Sequence, residues 1–272
     1  MKYVVFADYD GTLTNDDNIV TKRTINAIKE LIKNNCYVVV CSSRPRYSVN
    51  RIKDNISSSG YIISSNGAEI YDTDNEKVIF KKVIEKDICL DICNRAVECD
   101  SRIVLVADND EYVTEVSHSE HQIIMDDYKE IIKLNDIKQI FITNNSFAEI
   151  SELKKHVLQL DNVKIINESL SLKNNVDDNS SYWFSVANKD ISKGTSLKFL
   201  ANYLKIPNEH VYAIGNDYND VEMLSNAGIS ICFDNCPDDI KQMVDRITCN
   251  NNEDGAAKAF EQILSEIEKW KR

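Results

Sequence analysis

The sequence predicts an α/β fold in which an open, mostly parallel sheet with crossover helices is interrupted by an inserted α/β domain. Three observations predict it. Short β-branched and aromatic runs alternate with amphipathic segments from the first residues onward, as strand–helix–strand crossovers do. The pattern changes near residue 84 and resumes after Asn188. The chain has 272 residues, 43% of them hydrophobic, with 7 Gly and 3 Pro. That is too apolar for a disordered chain and long enough for one large core or two modest ones.

Residues 2–7 are a short apolar run, predicted as a buried strand. Residues 21–34 carry Ile25, Ile28, Leu31 and Ile32 at helical spacing behind a capping Thr21. Cys36–Cys41 is a second apolar strand, and Pro45 sits where a helix over 45–54 begins. Tyr61–Ser64 is a third strand, followed by Asn66-Gly67-Ala68, a turn of the kind that joins hairpin strands. In the middle, residues 86–99 and 147–160 are expected to be helical. Residues 102–107, 137–143, 163–166 and 182–187 are expected as strands, with 174–181 an exposed hairpin loop. After residue 188, Ser192 is expected to cap a helix through Leu197, Leu200 and Leu204. Val211–Ile214 and residues 228–233 are expected as strands, residues 221–227 and 256–269 as helices.

The formal net charge is −12, which argues against nucleic acid or an anionic membrane as main partner. No apolar run approaches the roughly 18–20 residues of a bilayer span, and an acid at position 8 precedes any signal-peptide core. A cytoplasmic protein, monomeric or a small homo-oligomer, is the expectation. Eight cysteines are present. None pairs at the spacing of a zinc knuckle or redox motif, so they are expected as small buried hydrophobes. Cys89 and Cys93 lie one helical turn apart, as Cys232 and Cys236 would if that segment were helical.

Asp8-Tyr9-Asp10-Gly11-Thr12-Leu13 follows the first strand directly. On an extended chain residues two apart point the same way, so Asp8 and Asp10 are expected to project together beyond the strand's C-terminal end. Open α/β sheets bind ligands there. Two carboxylates held close want a cation or a shared proton, and Gly11 lets the backbone turn and present amides to an anion.

With this motif the chain resembles the haloacid dehalogenase superfamily, whose aspartate-nucleophile phosphatases carry DxDGT, and within it the Cof-type, class IIB phosphatases. Val40-Cys41-Ser42-Ser43-Arg44-Pro45 places Ser42 at the second motif, with Ser43 where Cof-type members show Gly. Asn66-Gly67-Ala68 matches that subfamily's Asn-Gly-Ala. Ile191-Ser192-Lys193-Gly194 resembles its Ser-Lys-Gly at a helix start, with Lys189 a weaker competitor. Gly215-Asn216-Asp217-Tyr218-Asn219-Asp220 resembles Gly-Asp-x-x-Asn-Asp, but Asn216 stands where the first metal-binding Asp belongs. Either Asn216 ligates through its amide oxygen, or Asp217 and Asp220 compensate.

The resemblance implies a Rossmann-like core over residues 1–83 and 188–272 and an inserted α/β cap over 84–187. It implies a Mg2+-dependent phosphatase that hydrolyses a small phosphorylated metabolite, a sugar phosphate or similar, through an aspartyl-phosphate. Asp8 would be the nucleophile, and Asp10 the acid and then the base, protonated at the outset. Mg2+ would be held by Asp8, the Asp10 carbonyl and the Asn216, Asp217 and Asp220 region. Ser42 and Lys193 would hold the phosphoryl group, with Gly11, Thr12, Ser43, Arg44, Asn66 and Asn219 lining the substrate. The alternatives are a phosphomutase-type transfer and, because of Asn216, a phospho-ligand-binding scaffold without turnover. The cap would select the substrate. There His118 and His121 read as an exposed polar loop, Tyr112 and Glu115 as candidate contacts, and Trp183 and Phe184 as packing.

Overall fold

A computed structural model describes residues 2–56, 58, 60–108, 110–115, 121–169 and 181–270. It divides into two compact units, Met1–Phe80 with Ser192–Arg272, and Lys81–Ile191.

In the first unit the chain runs through β1 (Tyr3–Asp8), α1 (Lys22–Lys33), β2 (Cys36–Cys41), α2 (Arg46–Ile56), β3 (Tyr61–Ser64), β4 (Glu69–Asp72) and β5 (Lys77–Lys81). The inserted unit holds α3 (Lys86–Glu98), β6 (Arg102–Val106), β7 (Glu111–Val113), β8 (Gln122–Ile124), α4 (Tyr128–Leu134), β9 (Gln139–Asn144), α5 (Phe147–Val157), β10 (Val163–Ser169) and β11 (Tyr182–Asn188). The first unit then resumes with α6 (Lys193–Tyr203), β12 (Val211–Ile214), α7 (Val221–Asn226), β13 (Ile229–Phe233), α8 (Asp238–Met243), β14 (Arg246–Thr248) and α9 (Gly255–Trp270).

The first unit's sheet has eight strands in the order β14-β13-β12-β1-β2-β3-β4-β5. β1 lies between β12 and β2, parallel to both, with Val4 opposite Val211 and Asp8 opposite Cys41. All six β1 residues are buried, the continuous apolar run that a strand covered on both faces requires. α1 turns Ala27, Ile28 and Leu31 inward, and the Thr21 hydroxyl accepts the Thr24 N–H at 3.2 Å, satisfying one orphan donor of the first turn. β3 and β4 pair antiparallel, Ser64 opposite Glu69, through the turn that Asn66-Gly67 signals.

The inserted unit carries a six-stranded sheet, β10-β11-β9-β6-β7-β8. Its core takes every second residue: Ile103 and Leu105, Ile140 and Ile142, Phe184 and Val186, packed with Cys89, Ile92, Ile150 and Leu153 of α3 and α5. That period of two is the signature of a sheet with one face on a core. Phe184 is core, as expected, while Trp183 on the opposite face is half-buried.

Several expectations need correction. The helix expected over 147–160 ends at Val157, and the strand expected over 137–143 begins two residues later at Gln139. Cys232 lies within β13 and Cys236 in the turn before α8, so the segment joining them is not helical. β5, β7, β8, β14, α4 and α8 have no counterpart among the expected elements, while β4 is the second strand of the hairpin that Asn66-Gly67 signals. His118 and most of the loop expected over 174–181 lie outside the described residues. Among the described residues no helix is long and apolar enough to cross a membrane.

Candidate active site

The C-terminal ends of β1, β2 and β12 release three loops side by side, and a fourth segment, the start of α6, meets them. After Asp8 the chain leaves the extended conformation in a wide turn over Tyr9–Leu13, with Gly11 at φ +72°. The Thr14 amide closes it onto the Tyr9 carbonyl at 3.1 Å, and the Gly11 amide donates to Thr14 Oγ1 at 3.0 Å. Gly11 is needed for a second reason: a Cβ there would lie 2.6 Å from Asn216 Nδ2.

Lys193 is the first residue of α6. Ser192 caps that helix, accepting the Thr195 N–H while its own amide donates to Thr195 Oγ1, each at 2.9 Å. This reciprocal cap fixes where the lysine emerges. The Lys193 ammonium is 1% exposed and donates to Asp8 Oδ1 at 2.5 Å and Asp220 Oδ1 at 2.7 Å. Asp220 is committed on its other oxygen too, where Oδ2 accepts the amides of Asn216 at 3.0 Å and Asp217 at 3.3 Å. Burial, together with the Asp220 charge, pushes the Asp8 carboxyl up to about 7, against the opposing pull of Lys193. Burial disfavours the Lys193 cation, but Asp220 and Asp8 outweigh it and hold its pKa above the usual lysine value.

Each of the two acids of the first motif has its own cationic partner. The turn carries the Asp10 side chain to Arg44, whose Nε and Nη2 hold both carboxylate oxygens at 3.0 and 2.7 Å, and the guanidinium lies 5.4 Å from the Tyr9 ring centre. The acid that shares a cation with Asp8 is Asp220. Two-residue spacing aligns side chains only while the backbone stays extended, and here the strand ends at Asp8. The resemblance already implies Lys193 as the cation beside Asp8; the contact of Asp220 with that lysine carries no signal in the motif spacing.

Ser42 is fully buried at the end of β2, and its hydroxyl accepts the Arg44 amide at 3.2 Å; Ser43 is half-buried. The Ser42–Arg44 segment is tied to the β3–β4 turn, since Ser42 O accepts the Asn66 amide at 3.0 Å and Arg44 O the Ser65 amide at 2.9 Å. In that turn Ser65, Asn66 and Gly67 all have positive φ, +50°, +55° and +97°. A Cβ at Gly67 would meet the Ser192 carbonyl at 2.1 Å, and Ser196 Oγ donates to the Gly67 carbonyl at 2.7 Å. The turn is therefore docked on the helix that carries Lys193. The Asn66 side-chain nitrogen Nδ2 is buried without a hydrogen-bond partner, and the side-chain oxygen Oδ1 lies 3.5 Å from Asn219 Nδ2. Strained, orphaned polar groups of this kind concentrate at ligand sites.

At the β12 end the alternatives for the fourth motif separate. Asn216 Oδ1 accepts the Thr12 hydroxyl at 2.9 Å, which holds the amide oxygen over the turn after Asp8. Asp217 is exposed and spends Oδ1 on the Tyr218 amide at 2.7 Å. Lys189, the competitor of Lys193, is exposed.

This arrangement, a buried carboxylate and its lysine at the carboxyl ends of the parallel strands β1, β2 and β12, sits where open α/β enzymes bind their ligands. Comparison with known proteins agrees. A family model described as haloacid dehalogenase-like hydrolase matches residues 5–260. The 5-amino-6-(5-phospho-D-ribitylamino)uracil phosphatase YcsE of Bacillus subtilis is 26% identical over 264 residues, covering 94% of each chain. A haloacid dehalogenase-like hydrolase from Bacteroides thetaiotaomicron superposes with a TM-score of 0.84 at 22% identity, over 97% of this chain and 100% of that one. The class IIB sugar phosphatase BT4131 superposes at 0.75 with 18% identity, over 96% and 98%. The chain belongs to the haloacid dehalogenase-like hydrolases.

Proposed function

We propose that this hydrolase is a Mg2+-dependent phosphatase that cleaves a small phosphorylated metabolite, such as a sugar phosphate, through an aspartyl-phosphate on Asp8. The observation that carries the reading is the buried Asp8–Lys193–Asp220 cluster. It puts one nucleophilic carboxylate beside a fixed cation, which phosphoryl transfer demands. The substrate class is supported by two similar proteins, the sugar phosphatase BT4131 and the 5-amino-6-(5-phospho-D-ribitylamino)uracil phosphatase YcsE.

The donor set fits a hard divalent cation. The Asp8 carboxylate, the Asp10 carbonyl and the Asn216 amide oxygen are all oxygens, the ligands Mg2+ prefers, and Asn216 is already oriented by Thr12. We take Asn216 as the third donor in preference to Asp217, which is exposed, and Asp220, which already answers Lys193 and two loop amides. When bound, Mg2+ offsets the repulsion between a carboxylate and phosphoryl oxygens.

Asp8 attacks phosphorus, and Lys193 neutralises charge on carboxylate and phosphoryl group together. Ser42, Asn66 and Asn219 donate to the phosphoryl oxygens, the orphaned Asn66 amide gaining a partner. Asp10 is an ion-paired carboxylate before substrate binds; once Arg44 releases one of its oxygens and that oxygen takes up a proton from solvent, Asp10 protonates the leaving alcohol and then takes a proton from the attacking water. Phosphate release from a panel of phosphorylated metabolites tests the reading. Asp8→Asn should lower turnover roughly 10³-fold or more with the circular dichroism unchanged, EDTA should stop the wild type, and no bisphosphate activator should be needed. Activity retained in Asp8→Asn would refute the nucleophile.

A further inference from the structure

We propose that Asn216 makes the cation site electrostatically poor, so that the protein gives up Mg2+ affinity and gains affinity for the phosphate dianion. The inference rests on the metal reading above and concerns residues of this chain alone.

The charges at the site can be followed one by one. Asp8 and Asp220 bring two negative charges when ionised, and Lys193, in contact with both, brings one positive. Asp10 and Arg44 cancel in their two-point pair. Asn216 brings none, although its oxygen is the one that Thr12 aims over the turn. One net negative charge faces the cation, where an aspartate at 216 would make two. Once a divalent cation is bound the site is net positive by one, and with an aspartate it would be neutral. Charges a few ångströms apart in a part-buried site are only partly screened, so the formal charge of one ligand acts on both partners. A phosphate dianion is attracted to the first state and gains little from the second.

The sequence around Asn216 does not restore the missing charge. Asp217 is the neighbouring carboxylate, but it caps the next turn through Tyr218 N–H and is exposed. Asp220 reaches Lys193 and the two loop amides instead. Asn216 holds its place through its backbone amide on Asp220 and its side chain on Thr12. A carboxylate of the same shape would keep both bonds.

Calorimetric titration of the full-length protein with MgCl2, and then of the Mg2+-saturated protein with inorganic phosphate, tests the proposal. Asn216→Asp should lower the Mg2+ dissociation constant at least tenfold and raise that of phosphate severalfold. Asp217→Asn should leave the Mg2+ constant within twofold, and Asn216→Ala should raise it at least tenfold. Unchanged or weaker Mg2+ binding in a folded Asn216→Asp protein would overturn the proposal, as would tighter binding of both ligands. A tenfold loss in Asp217→Asn would overturn it too, since Asp217 would then be the ligand. Should Asn216→Asp fail to fold, the Ala and Asp217→Asn titrations still decide which residue binds. Phosphate-ester hydrolysis that persists in EDTA would instead defeat the earlier metal reading, a distinguishable result.

Discussion

Asp8 spends its folded life against two opposing influences, water's absence and a shared ammonium. In the metal-free protein its carboxyl stands near 7, from an ordinary value of 3.8, because burial and Asp220 together outweigh Lys193. Between those two pH values the folded form holds a proton that the unfolded form has lost, so stability falls as pH rises through the interval. In EDTA the stability of wild type relative to Asp8→Asn should therefore decline from pH 5 to pH 8, measured by urea unfolding at each pH; a flat difference would mean that Asp8 titrates normally. At this scale the sequence was informative about identities and silent about pairings. Asp8 and Lys193 could be named from their motifs, whereas the Arg44 clamp on Asp10 and the Asp220 contact to Lys193 depend on turns whose course no spacing encodes.

Among elements, the β3–β4 turn is the one whose geometry is least forgiving. Three successive positive-φ residues and a glycine packed on the Ser192 carbonyl leave no room for a side chain. Gly67→Ala should destabilise the protein by about 1–3 kcal/mol, read from the urea midpoint. It should also lower turnover, because α6 would have to shift with Lys193 on its first turn. Long apolar runs were legible: Cys36–Cys41, Tyr61–Ser64 and Val211–Ile214 form as expected, since burial on both faces writes a continuous hydrophobic string. The three-residue strands β7, β8 and β14 and the short helices α4 and α8 were not, because fewer than two helical turns or two strand repeats leave too little period to read.

At the scale of the whole molecule, two hydrophobic clusters form, one in each unit. Every proposed cation ligand, from Asp8 to Asn216, belongs to the first. Phe184→Ala, in the second, should cost about 3–5 kcal/mol of that unit's stability, seen in urea unfolding. It should leave the Mg2+ dissociation constant of the folded protein within twofold. A large change in Mg2+ binding would show that the inserted unit helps to build the site.

The Asp8–Lys193 contact joins residues 185 positions apart, and this separation sets a timetable for synthesis. The strand bearing Asp8 is made before its counter-ion, which follows only after the whole inserted unit. Until then the carboxylate must stay in water or take up a proton. Closing so long a loop is slow, so native-like protection of β1 amides from hydrogen exchange should be among the last features to develop during refolding.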